Sequence, residues 1–318
     1  MKIKSIMLFL LLCTINMFAI GQINIEGNKT AFLFTEHINN RVGICDENGK
    51  IVWEINCAHP QDAWVLPNGK QVLTSSKDDA MIIRIKDKKV LWHYKIESPY
   101  ENPYVQPLRN GHVVIGIEGR NAFLEFNKRG KLIHETKVAI NARQVHGTFR
   151  FVRRTKENTY VIPVTAENQF REVNLSGEVI RVFNYKGKDA ISALRLANGN
   201  TILGVGSTGE IVEVDKNDQV VWSISNKDLP DLSINFIAGM HLAGDILYVT
   251  NYGLQGNSSR ELPHYFAINR KTKQVVWRAW SNCIGNAAQI QGLDHKFRPL
   301  KGELSTIPRI PKLHPERN

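Results

Sequence analysis

The chain lacks most of the signatures that announce an enzyme class. It holds 4 cysteines in 318 residues, too few for a disulfide framework, and they show no CxxC or Cys/His spacing of a zinc site. There is no HExxH, no EF-hand loop and no Gly-rich loop that follows a strand and opens a helix, so metalloprotease, calcium-loop and nucleotide chemistry have no support. Ser75-Ser76 and Ser258-Ser259 lack a nucleophile-elbow context, which removes the serine-hydrolase reading. Asp78-Asp79 reads as a solvated acidic loop. No metal and no cofactor is therefore expected. Helical periodicity is also nearly absent, and beyond residue 21 no apolar run is long enough to span a membrane.

The one long apolar run is Ile6 to Ile20, broken only by Thr14 and Asn16 and preceded by Lys2 and Lys4. With Ala19-Ile20-Gly21 offering small residues at a cleavage site, residues 1–21 read as a signal peptide. A lipoprotein signal at Cys13 is the rival, but Leu12 stands where a small residue is needed. The expected location is secreted, periplasmic or cell surface. About 297 residues remain, enough for one large all-β domain. The net charge of +11 is spread along the chain rather than clustered, so no nucleic-acid partner is expected. A glycan or protein ligand and a monomeric chain are.

What is present is a repeat. Asn48-Gly49-Lys50-Ile51-Val52-Trp53 returns as Gln219-Val220-Val221-Trp222, Gln274-Val275-Val276-Trp277 and Lys89-Val90-Leu91-Trp92. Degenerate copies end in His134 and Arg181. The spacing of roughly 40 to 55 residues points to propeller blades or solenoid units. A second phrase runs in step: Leu66-Pro67-Asn68-Gly69, Leu108-Arg109-Asn110-Gly111 and Leu196-Ala197-Asn198-Gly199. Asn-Gly between apolar runs is a strong hairpin signal, because both residues tolerate positive φ. Two hairpin turns per unit give four strands, in unit two Asp62–Leu66, Gln71–Ser75, Met81–Lys86 and Val90–Tyr94.

Four-stranded units repeated about six times make a single all-β propeller over residues 22–294, with seven blades still allowed. Asn286–Asp294 resembles a first strand with no unit after it. It is expected to complete the blade begun by Thr30–Thr35 and so close the ring. Residues 295–318, rich in proline, form an extended C-terminal tail. The recurring tryptophan is expected to pack between blades.

These phrases resemble the repeats of the quinoprotein-type (PQQ-like) propeller superfamily, whose blades end in a Gly-Lys-x-x-Trp pattern. The Leu-Pro-Asn-Gly turn is also similar to the propeller part of bacterial arylsulfotransferases. The resemblance implies the fold and no cofactor: about six units stand where a quinoprotein dehydrogenase implies eight, and no adjacent cysteine pair is present.

Strand order assigns the Asn-Gly turns to one face, and the between-blade loops to the other together with those joining second and third strands. Propeller ligands sit on the latter face, over the channel. It collects His59 and Asp62, then Asn102, then Arg143 and His146, then Asp189, and finally a long insertion carrying Tyr252 and His264. His59 and His146 stand at equivalent first-strand edges and are the catalytic candidates. With Arg143 and Asp62 they fit an anionic sugar or sulfate, or acid–base work. The bland alternative is that each histidine bonds backbone and orders its own loop. Two functions follow: a propeller that recognises a glycan or protein, or a carbohydrate- or sulfate-ester-active enzyme. Convergence of a histidine with an arginine or acid in one pocket favours the enzyme. Cys57 and Cys283 follow equivalent tryptophans in the first and last units and are a candidate disulfide across the ring closure. Cys45 reads as a buried small hydrophobe.

Overall fold

The computed structural model describes residues 22–108, 110–185 and 187–302. The expected signal peptide and residues 303–318 of the tail lie outside the described residues. The chain opens with β1 (Asn24–Gly27) and continues with β2 (Ala31–Glu36), β3 (Arg41–Cys45) and β4 (Ile51–Asn56). Next come β5 (Ala63–Val65), β6 (Gln71–Ser75), β7 (Asp79–Arg84) and β8 (Val90–Lys95). The third group is β9 (Glu101–Pro107), β10 (Val113–Glu118), β11 (Ala122–Phe126) and β12 (Leu132–Lys137). A fourth follows with β13 (Arg153–Arg154), β14 (Tyr160–Val164), β15 (Gln169–Val173) and β16 (Val179–Val182). The fifth holds β17 (Ala190–Arg195), β18 (Thr201–Val205), β19 (Glu210–Val214) and β20 (Val220–Ile224). The last holds β21 (Ile237–Ala243), β22 (Ile246–Asn251), β23 (Tyr265–Asn269), β24 (Gln274–Trp280) and β25 (Ala287–Leu293).

Apart from β1 and β25, which each join the other's group, every group is one antiparallel blade, and the six blades form a ring. Blade 1 is closed as the sequence predicts: β25 pairs with β2, setting Phe34 opposite Ile290. Strands β2, β3 and β4 and the late strand β25 thus share one sheet, which pins the ring shut. β1 adds a fifth, outer strand to blade 6 by pairing with β24. In blade 2 the third strand begins at Asp79, two positions before the sequence-based start, so Asp79 belongs to the strand and pairs with His93 and Lys95. The described tail turns back under blade 1, where the Arg298 carbonyl accepts from Asp294 N–H at 2.8 Å and Leu300 N–H bonds the Gly292 carbonyl at 3.0 Å.

The tryptophans fill the seams between blades. Trp53 packs with Val72 and Ile83 of blade 2, and Trp277 with Phe32 and Phe34 of blade 1. Trp92 meets Phe126 of blade 3 edge-on at 5.2 Å. The degenerate copies keep the same seam by hydrogen bonding. The His134 imidazole bonds the Leu175 carbonyl at 3.1 Å, and Arg181 bonds the Asp215 carbonyl at 2.7 Å. Trp222 donates its indole N–H to the Arg270 carbonyl at 2.8 Å. In all three the acceptor lies on the next blade, whereas the buried indole N–H groups of Trp53 and Trp277 have no partner among the described residues. The turns that carry this contact approach their neighbours closely. Gly177 has φ +86°, and a Cβ there would sit 1.8 Å from the Lys137 carbonyl oxygen, so only glycine fits.

Cys57 and Cys283 do not pair; both are free thiols, as is Cys45. Their loops are equivalent, but they flank blade 1 on opposite sides. Cys57 leads from β4 into blade 2, while Cys283 leads from β24 into β25. The hairpin joining β2 to β3 lies between them. Asn40 accepts from Cys57 N–H, and Arg41 donates to the Cys283 carbonyl at 3.0 Å. Burial pushes the Cys57 thiol up to about 12, which makes it an inert core group.

Candidate functional site

Two polar clusters lie along the ring axis, one sealed and one open. In the sealed cluster, Arg153 at the start of β13 bonds Asp62 at 2.8 and 3.3 Å. Gln289 of β25 donates to the same carboxylate at 2.9 Å, and the Val105 N–H to it at 3.4 Å. Arg153 is 1% exposed and Asp62 fully buried. The guanidinium also lies over the Trp64 ring at 4.9 Å. Burial raises the Asp62 carboxyl against the pull of Arg153. His241, also buried, accepts from Gly292 N–H at 3.1 Å and is held down to about 4 by burial. This cluster ties blades 1 to 4 together across the axis, and His241 adds blade 6. Asp62, expected at the channel mouth, is therefore a structural group beneath it.

The open cluster is a cavity of about 280 Å³ on the loop face over blades 1 to 3, just below the roughly 300–1,000 Å³ typical of ligand pockets. His37 comes from the β2–β3 hairpin, His59 from the link into blade 2, Glu101 and Asn102 from β9, and Glu118 from the end of β10. His146 and Arg150 come from the long link between β12 and β13. The His146 Nδ1 lies 2.7 Å from the Glu101 carboxylate, and Arg150 donates to His146 Nε2 at 3.1 Å. Because a guanidinium only donates, Nε2 accepts and Nδ1 carries the proton directed at Glu101. Arg150 also donates to Glu118 at 2.7 Å, and that carboxylate accepts the Phe149 N–H at 3.0 Å and the Gly147 N–H at 3.3 Å. Burial raises the Glu118 carboxyl, opposed by Arg150.

His37 and His59 stack obliquely, ring centroids 4.7 Å apart. Burial, then the neighbouring His59, His146 and Arg150, hold His37 down to about 4. His59 adopts φ 45°, a left-handed backbone unusual for a non-glycine residue, with its N–H on Asn40 Oδ1 at 2.9 Å. Asn102, 1% exposed, donates to the Asp79 carbonyl while its Oδ1 has no hydrogen-bond partner. Glu101, Glu118 and His146 offer ligand atoms within 4.8 Å of one another, spacing compatible with a metal ion. The Glu118 oxygens already accept Arg150 and two backbone N–H groups, so a cation there would have to displace Arg150.

His59 and His146 do share one cavity, but not by equivalence. β13 begins at Arg153, seven positions after His146, whereas β5 begins four after His59. The link over residues 138–152 folds back across blade 3 and delivers His146 to Glu101. Arg143 is exposed and off the cavity. Asp189 accepts from Ser207 in blade 5, and Tyr252 packs on Phe236 at 5.8 Å; neither lines it. His264 is buried, and its desolvation outweighs the nearby backbone groups of Gly285 and Ile284, holding it at about 4. His37 and Arg150 were missed. His37 was findable from the strand order, since its hairpin lies on the ligand face; Arg150 carries no local signal.

A family model described as Mal s 1 allergenic protein-like matches residues 15–242. The chain belongs to that family. No curated protein matches. A crystal structure of a protein of unknown function from Bacteroides caccae superposes with TM-score 0.75 at 20% identity, covering 83% of this chain and 99% of that one. Virginiamycin B lyase from Staphylococcus aureus matches with TM-score 0.55 at 12% identity, over 84% and 94% of the two chains. A catalytically inactive histidine-to-alanine variant of that lyase, solved with quinupristin, matches at 11% identity and TM-score 0.55, over 83% and 90%. At these identities the likeness is one of fold. Of the resemblance read from the repeat phrases, these matches support the β-propeller fold and not the quinoprotein or arylsulfotransferase families.

Proposed function

We propose that the loop-face cavity is an active site for proton transfer on a small polar substrate bearing an anionic group, of the acidic-carbohydrate or sulfate-ester class. His146 is the group that moves the proton. The observation that carries this reading is the chain Glu101–His146–Arg150, a histidine with an acid on one nitrogen and an arginine on the other. Glu101 orients the ring and stabilises the imidazolium, the role an acid plays behind a catalytic histidine. An anionic group drawing Arg150 toward itself releases the Nε2 lone pair. Nε2 then takes a proton from the substrate or from a water, and Glu101 faces the resulting cation. Glu118 positions Arg150. Propeller neighbours that are lyases, one of them inactivated by loss of a histidine, support the idea that this fold hosts such chemistry.

The test is a panel of uronides and sugar sulfates assayed for product with wild type and His146→Gln. The expected result is a loss of at least about 100-fold in kcat with binding retained. Binding by both proteins with turnover by neither overturns it and favours the second reading, recognition of a glycan or protein without chemistry. Arg150 standing on Nε2 is the observation that supports that alternative. Either reading is proposed for an exported chain, which N-terminal sequencing of the mature protein would test.

A further inference from the structure

The fixed charges around the cavity cancel. Lys77 lies 3.7 Å from Glu101, and Arg150 lies 2.7 Å from Glu118. Each carboxylate is committed to donors, Glu101 to His146 and Glu118 to Arg150 and two backbone N–H groups. What is left uncommitted is the His37–His59 pair, whose imidazoles have only each other as ring partners among the described residues. One buried acceptor also lacks a partner, the Oδ1 of Asn102. A balanced set of fixed charges has no surplus to hold a dianion. A monoanion needs one more positive charge, which an imidazole supplies by taking a proton. The unpaired Asn102 oxygen suits a hydroxyl donor on the same ligand.

We propose that this cavity takes a hydroxylated monoanion, a sugar carboxylate or sugar sulfate, and takes it up together with one proton carried by the His37–His59 pair. The inference rests on the cavity being the ligand site. In the free protein His37 stays neutral down to about 4, because burial, and then the neighbouring His59, His146 and Arg150, outweigh Glu101. An anion seated among those groups reverses their balance. Binding then requires proton uptake, so affinity falls as pH rises, by about tenfold per pH unit for one linked proton.

The experiment is isothermal titration of the full-length protein with glucuronate, glucose 6-sulfate and glucose 6-phosphate at pH 5.5, 6.5 and 7.5. Each is repeated in two buffers of different ionisation enthalpy, to count protons. We expect glucuronate or the sulfate to bind with about one proton taken up. We also expect the sulfate to outcompete the phosphate dianion at pH 7.5. In His37→Gln the pH slope should flatten; His59→Gln provides the same readout if that variant is poorly folded. A pH-independent affinity, tighter binding of the phosphate at pH 7.5, or no binding of any probe at millimolar concentration overturns the proposal. The outcomes separate from those for His146. Proton-linked binding without His146-dependent turnover removes only the enzyme reading, and His146-dependent turnover of a neutral substrate removes only this one.

Discussion

The axial cluster and the loop-face cavity are built from the same residue types and do opposite things. Asp62, Arg153 and Gln289 form a carboxylate–guanidinium–amide set with almost no exposed surface. Glu101, Arg150 and His146 form a similar set, but the His146 side chain is 55% exposed. Burial decides the difference. Inside the channel the charges have no access to water, so each is indispensable to its partner and unavailable to a ligand. In the cavity the same interactions are screened, cheap to break and free to be exchanged for substrate contacts. A polar cluster on a propeller axis is therefore no evidence of a site until its exposure is known.

Substitutions sharpen this contrast, beginning with the sealed cluster. Arg153→Leu should cost about 3–5 kcal/mol in denaturant unfolding, because Asp62 is left as an unpaired buried charge, while the Asp62→Leu/Arg153→Leu pair recovers much of it. A loss under about 1 kcal/mol for the single variant would erase the distinction between the clusters. Acid is the next lever. His241 and His264 are neutral in the folded chain down to about 4, against an ordinary value of 6.5. The unfolded chain thus binds more protons between those values, and stability falls as pH drops from 6.5 toward 4. Thermal melts should show a Tm several degrees lower at pH 4.5 than at pH 7, with a shallower drop in His264→Gln. A flat profile would mean that these buried rings are not the acid-sensitive groups.

Glu118 is the intermediate case, buried yet part of the cavity. Glu118→Gln should cost about 1–3 kcal/mol by weakening its charge-assisted bond to Arg150. It should also change ligand affinity, which Arg153→Leu at a temperature where it stays folded should not. Smallest of all, His146→Gln should shift stability by less than about 1 kcal/mol while abolishing the proposed proton transfer. An unfolding cost as large as that of Arg153→Leu would make His146 a structural residue.

The repeat phrases made the architecture legible. Asn-Gly turns and a strand-ending tryptophan recur at blade spacing, and each is local chemistry that a sequence carries openly. The degenerate copies at His134 and Arg181 were legible as positions, but not as donors to the next blade's carbonyl, since those partners lie 41 and 34 residues away. The candidate site was legible only in part. His59, His146 and Asn102 were placed on the correct face, and they do meet in one cavity. Asp62 was given the wrong depth, and Asp189, Tyr252 and His264 the wrong neighbourhood. Loop membership fixes a face but not a height above the channel or a blade-to-blade distance.

The sequence by itself determined four-stranded blades numbering about six, the closing role of β25 and the assignment of loops to faces, because strand period, turn chemistry and repeat spacing are short-range properties. Only the tertiary structure decided which loops touch. It folded residues 138–152 back across blade 3 and set His146 between Glu101 and Arg150. It also sent Asp62 down to Arg153, 91 positions along the chain. Such meetings depend on the ring's curvature and on the conformation of links without repeats, and neither is written in any single stretch of residues.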